Sequence, residues 1–196
     1  MRGLAGDGVL VHLGSDESAP LVLEGGAGND TLSAFEVEFG NNTTLDGGAG
    51  DDVLRTDIFA TSPGDSFDTC ITGAGAYVIE ISYLDVSGDG STDVGLLGRV
   101  TDFTPGEDLI IIDPSWLLRE PAVASGTGYN QDIVLRENTA DGFTDIDFTI
   151  TANSNGNQFS GVLRLDGLTG LTLDDIGIAL SDNVQSPERP GIVVGT

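Results

Sequence analysis

Apolar and polar residues alternate through Phe35-Glu36-Val37-Glu38-Phe39 and again through Ile146-Asp147-Phe148-Thr149-Ile150. That is the period of a strand with one buried face. The runs Val9–Leu13, Pro20–Leu23, Asp57–Phe59, Tyr77–Leu84 and Val94–Phe103 are also β-prone, and clusters of Gly, Asp, Asn and Ser separate them; such punctuation marks turns. Pro105-Gly106 marks a turn inside residues 100–113. Residues 131–151 and 158–168 predict three more strands, with turn-rich loops at Asn138–Gly142 and Asn153–Asn157. The pattern predicts an all-β chain.

The alternation is itself repeated. Residues 25–32 read GGAGNDTL and residues 47–54 read GGAGDDVL, 22 positions apart. Another 22 positions back stands GLAGDGVL (residues 3–10), and 25 positions forward stands TGAGAYVI (residues 72–79). An Ala-Gly pair thus recurs as Ala5-Gly6, Ala27-Gly28, Ala49-Gly50 and Ala74-Gly75, followed by an apolar residue at Leu10, Leu32, Leu54 and Ile79. Gly14-Ser15-Asp16, Gly40-Asn41-Asn42 and Pro63-Gly64-Asp65 form a second set of turns between the copies. Strand, turn, strand, turn at a fixed period is the signature of a stacked coil. The expected architecture is a short parallel β-roll or β-helix solenoid of about four coils over residues 1–82. An antiparallel β cap over 83–185 and an extended tail over 186–196 are expected to follow. The glycines permit the tight corners, and the apolar residue after each corner is expected to point inward and stack on its neighbours.

Charge changes the picture. The chain of 196 residues carries 32 acidic residues against 7 Arg and no Lys, a net charge of -25. Seven scattered Arg build no basic patch, so nucleic-acid binding and an anionic membrane surface are both excluded. With 39% hydrophobic residues the chain can still form a core. Asp outnumbers Glu 23 to 9; the short Asp side chain suits turns and rigid oxygen cages for hard cations. A halophilic solubility surface would also be acidic, but it would not place Asp at matched corners. No run reaches the roughly 18 apolar residues of a membrane span, and no Sec-type signal peptide is visible at the start. Cys70, the single cysteine, has no internal disulfide partner and stands in an apolar run, as a small buried residue does.

The two full copies, GGAGNDTL and GGAGDDVL, resemble the calcium-binding nonapeptide G-G-x-G-x-D-x-U-x of RTX (hemolysin-type) proteins. The resemblance covers roughly residues 3–80 and is close in the two middle copies. It implies a Ca²⁺ held between Asp30 and Asp52, with backbone carbonyls of Gly25, Ala27, Gly47 and Ala49 completing the oxygen shell. Family coils are usually 18 residues long; a coil of 22 implies calcium on one side of the roll only. Gly8 and Tyr77 stand where the ligand Asp is expected, so the outer pairings are poorer. The resemblance further implies export by type I secretion machinery through an uncleaved C-terminal signal. Residues 166–180, DGLTGLTLDDIGIAL, are similar to the last element of such substrates.

A second calcium signal lies at residues 85–93, DVSGDGSTD, where Asp85, Ser87, Asp89, Ser91 and Asp93 recur at every second position and Gly90 allows a sharp turn. Leu96 occupies the position of the bidentate Glu of an EF-hand. The expectation is a hairpin loop wrapping one Ca²⁺, against a merely polar, Gly-rich hairpin loop. Trp116 and Phe103 are expected to be core or cap residues.

No catalytic constellation stands out. His12, the only histidine, lies in the run Val9–Leu13 and reads as a strand residue; Gly64-Asp65-Ser66 has no His after it to serve a nucleophile. No P-loop, dinucleotide fingerprint or Cys-His pair is present. The sequence points to a secreted, non-catalytic, extracellular or cell-surface protein whose cofactor is Ca²⁺. The alternatives are a self-assembling structural or adhesive protein, forming homo-oligomers or filaments through an exposed edge at residues 1–12, and an unrecognised hydrolase.

Overall fold

The computed structural model describes residues 1–3, 5–13, 20–35, 43–59, 68–84, 91–113, 129–153, 156 and 158–180. About two thirds of these residues lie in strands. The elements are β1 (Val9–Leu13), β2 (Leu21–Ala27), β3 (Thr31–Phe35), β4 (Thr43–Ala49), β5 (Val53–Phe59), β6 (Asp68–Ile71), β7 (Val78–Leu84), β8 (Ser91–Val100), β9 (Leu109–Asp113), β10 (Tyr129–Asn138), β11 (Phe143–Ala152), β12 (Gln158–Asp166), a 3₁₀ turn η1 (Leu173–Asp175) and β13 (Gly177–Leu180). The all-β expectation holds. No helix among the described residues is long and apolar enough to cross a membrane.

The strands form two sheets. One has the order β1-β3-β5-β7-β9-β13, the other β10-β11-β12-β8-β6-β4-β2. Up to β9 the chain alternates between them, so consecutive strands fall in different sheets and each strand pairs in parallel with the one two places along. The register reproduces the sequence repeat: Leu10 pairs with Leu32, Leu32 with Leu54, Leu54 with Ile79, and Ile79 with Ile110. In the second sheet Leu23, Leu45, Cys70, Val100 and Leu165 form a matching row. Both rows are buried and join one apolar cluster. Period-2 alternation explains this: one residue after each corner is directed inward, and parallel stacking sets like upon like. A buried Leu or Ile contributes about 1.5–3 kcal/mol, and no single pair of strands could cover its own row.

Two expectations are corrected in detail. The segment around residues 85–93 is not a hairpin, because β7 and β8 lie in different sheets. Their backbone groups are taken up by parallel partners on both sides, β5 and β9 for β7, and β6 and β12 for β8. The antiparallel part of the C-terminal region is also narrower than expected. Among the described residues only β10/β11 and β11/β12 pair antiparallel, whereas β8, β9 and β13 extend the parallel ladders without a break at residues 82–83. The three antiparallel strands arise between β9 and β13 and attach to the second sheet through β12. The expected turns at residues 14–16, 40–42 and 63–65, Trp116 and the tail 186–196 lie outside the described residues. Phe103 and Cys70 are buried as expected.

Candidate metal centre

Each strand of the first sheet is entered through a corner, and the residue just before the strand stacks in register on its counterparts. The column runs Gly8, Asp30, Asp52, Tyr77, Asp108, as set by the pairing of the residues that follow them. The Ala-Gly pairs stand two and three residues before Gly8, Asp30, Asp52 and Tyr77 in the same corners. Gly6, Gly28, Gly50 and Gly75 all have positive φ, a conformation that L side chains rarely adopt. At Gly50 a Cβ would also collide with the Gly28 carbonyl.

Asp30 and Asp52 are 2% and 1% exposed. Asp52 Oδ1 accepts the Asp30 backbone N–H at 2.7 Å, tying adjacent segments together. Asp30 Oδ2 and Asp52 Oδ2 are buried and meet no donor in hydrogen-bonding geometry, although the Tyr77 phenol stands near enough to the Asp52 carboxyl to favour its charged form. Each of these orphaned oxygens lies against a glycine of its own corner: a Cβ on Gly25 would stand 2.7 Å from Asp30 Oδ2, and one on Gly47 would stand 2.5 Å from Asp52 Oδ2. Burial, and secondarily the Asp30 charge, pushes the Asp52 carboxyl above its ordinary range. Buried carboxylate oxygens are almost always satisfied, so two in adjacent segments mark a place where positive charge is wanted.

The remaining predicted ligands are main-chain oxygens of the same corners. The Gly47 carbonyl faces Gly25 closely enough to stand 2.5 Å from a Cβ placed there. The Ala27 and Ala49 carbonyls accept the Gly6 and Gly28 N–H groups at 2.5 and 2.8 Å; each retains a second lone pair. Among the described residues no group of three or more His, Cys, Asp or Glu side chains is placed to hold a metal ion. The donor set at this corner is therefore two carboxylates plus main-chain carbonyls. All its donors are oxygen, which fits a hard cation such as Ca²⁺ and not a soft one.

The other acidic corner residues contrast with these two. Asp108 continues the column, but its Oδ1 accepts the Tyr77 N–H at 3.0 Å and its Oδ2 the Thr104 N–H at 2.7 Å. Asp102 caps the Thr72 and Gly73 N–H groups at 2.6 and 2.8 Å. An outer ladder links Asp7 to the Asn29 N–H, Asn29 to the Asp51 N–H and Asp51 to the Ala76 N–H, at 2.8, 2.9 and 3.0 Å. These side chains accept from backbone N–H groups, with both oxygens used in Asp102 and Asp108. Sequence reading missed Asp108, although its signal was there: Asp108-Leu109-Ile110 repeats the frame of Asp30-Thr31-Leu32 and Asp52-Val53-Leu54.

The second predicted ligand set cannot be placed in the same way. Asp85, Ser87, Asp89 and Gly90 lie outside the described residues, while Ser91 and Asp93 belong to the backbone of β8, paired with Gln158 and Ser160. His12 lies in β1, half-buried. The five described Arg residues all engage carboxylates: Arg2 with Glu24, Arg55 with Glu80, Arg99 with Asp166, Arg136 with Asp147 and Arg164 with Asp145.

No protein-family model matches the chain, and no curated protein matches it.

Proposed function

We propose that this chain is a secreted, non-catalytic calcium-binding β-roll of RTX type, exported unfolded by type I secretion machinery and folded by calcium outside the cell. The observation that carries this reading is the pair of buried carboxylate oxygens, Asp30 Oδ2 and Asp52 Oδ2, left without donors at matched glycine corners of adjacent segments. The parallel register that stacks those corners 22 residues apart supports it. A bound Ca²⁺ would supply the positive charge, drawing six to eight oxygens around it. Asp30, Asp52 and the carbonyls of Gly47 and Ala49, which face the 25–30 segment, would hold it; the predicted Gly25 and Ala27 carbonyls face Gly3 and Gly6 instead.

The chain's own residues supply the switch. With a net charge of -25, the metal-free chain resists compaction, and its buried carboxylates oppose one another at the corner. At the calcium levels of the cytosol the fold is only marginally stable, so the chain is easily unfolded and threaded. Outside, sites with a Kd of about 10⁻⁴–10⁻³ M draw binding energy into folding. The test is circular dichroism of metal-stripped protein titrated with calcium. β signal and thermal midpoint are expected to rise, and Asp30→Ala with Asp52→Ala removes most of the gain. A chain equally folded and equally stable without metal refutes the reading.

One observation favours a second reading, assembly with copies of itself. Among the described residues β1 pairs only with β3, and its outward residues Val9 and Leu13 are 73% and 72% exposed. A free parallel edge with apolar side chains is a template for another strand. Light scattering with and without calcium separates the two: growth in particle size supports assembly, a constant monomer the folding module.

A further inference from the structure

We infer that Tyr77 occupies, with its own ring, the inter-segment gap that would otherwise take the next cation, so that the metal column of this chain ends at this residue. The inference rests on the reading of Asp30 and Asp52 as cation ligands.

The argument starts from register. Tyr77 stands in line with Asp52 and Asp108, one segment from each. It is 1% exposed. Its ring lies between two glycine corners: a Cβ on Gly47 would stand 2.5 Å from Tyr77 Cε1, and one on Gly73 would stand 2.9 Å from the hydroxyl oxygen. The hydroxyl donates its one proton to the Gly48 carbonyl at 2.8 Å. The phenol thus fills the gap between segment 47–52 and segment 72–77 and covers a carbonyl that faces it.

The gap on the other side of Asp52 is built differently. There the in-register residue is Asp30, whose Oδ2 meets no donor, and the second such oxygen, Asp52 Oδ2, lies at Gly47 beside the Tyr77 ring. One more gap along, Asp108 has both oxygens covered by main-chain N–H groups. Three successive positions of one column therefore meet three solutions: carboxylates that call for a cation, a phenol that replaces it, and a carboxylate capped by backbone. A cation needs an oxygen cage, and an aromatic ring in its place offers none. The consequence is a division of the chain: the corners before Tyr77 depend on the ion, while the column after it closes on its own donors.

The experiment counts calcium by equilibrium dialysis and follows folding by far-UV circular dichroism for the full chain, Tyr77→Asp and Tyr77→Phe. The wild type sets the reference number of ions. Tyr77→Asp, which restores the frame of Asp30 and Asp52, is expected to bind one more, to be less folded than wild type in metal-free buffer and to recover its β signal in calcium. Tyr77→Phe keeps the ring and is expected to bind the wild-type number. If Tyr77→Asp folds in calcium yet binds no additional ion, or stays unfolded at saturating calcium, the inference is overturned. A Tyr77→Phe chain that gains an ion overturns it too. A wild type that takes up no calcium overturns the Asp30–Asp52 site itself, a different outcome from either.

Discussion

Replacing Asp52 by Asn separates the two tasks of one carboxylate. Oδ1 accepts the Asp30 N–H at 2.7 Å, and Asn retains that acceptor. Oδ2 is buried and meets no donor in hydrogen-bonding geometry, and Asn replaces it by a neutral amide NH2. In the metal-free chain the change removes the repulsion of two carboxylates on neighbouring strands, roughly 3.5 kcal/mol for unit charges ~4.8 Å apart at an effective dielectric near 20. An unsatisfied buried oxygen costs about 1–3 kcal/mol, and the new amide NH2 must itself be desolvated. The net expectation is a gain of about 1–2 kcal/mol without metal, an upward shift of the thermal midpoint of about 2–8 °C for a domain of this size. In millimolar calcium the sign reverses, because the variant has lost an anionic ligand and its midpoint falls below that of the wild type. Thermal melts by circular dichroism, in metal-stripped and calcium-containing buffer, read both arms. An Asp52→Asn chain that loses the same stability in both buffers would refute the reasoning and leave Asp52 as an ordinary acceptor for backbone.

Two further outcomes are expected. Leu45→Ala opens a cavity between Leu23 and Cys70 in the fully buried row and should cost about 2–5 kcal/mol in calcium; a loss below about 1 kcal/mol in urea unfolding would show that the rows are not one core. The pH dependence of the metal-free chain follows from Asp46 and Asp108. Burial raises both carboxyls, helped at Asp46 by Glu24 and Asp102, and at Asp108 by Asp102. The folded state then binds more protons than the unfolded chain between the ordinary Asp range and these raised values, so stability rises as pH falls through that window. Below it the trend turns, as Glu24 beside Arg2 and Asp175 beside Thr172, both held below their ordinary values, lose their charge. Thermal midpoints of stripped protein from neutral to acid pH should pass through a maximum on the mildly acid side; a monotonic fall from pH 7 would contradict this.

Much of the fold is legible along the chain. The 22-residue repeat places Leu10, Leu32 and Leu54 in one row, and side-chain alternation is a local property that decides which face of a strand is buried. The matched corners likewise bring Asp30 and Asp52 into adjacent positions, because register follows from equal spacing. Beyond Ile79 the spacing between partners lengthens to 31 residues and then takes in the antiparallel strands β10–β12. No local pattern encodes which distant strand will supply the next row of N–H and C=O groups, and so β7 and β8 read as a hairpin although they diverge into opposite sheets. The fate of each carboxylate is decided in the same way. Asp30, Asp52 and Asp108 precede their strands in one common frame, yet Asp108 finds the Thr104 N–H because the Pro105-Gly106 turn folds back over it, while Asp30 and Asp52 each keep one oxygen without a donor. Whether an acid is satisfied depends on where a neighbouring loop delivers its amides, a contact that exists only once the segments are stacked.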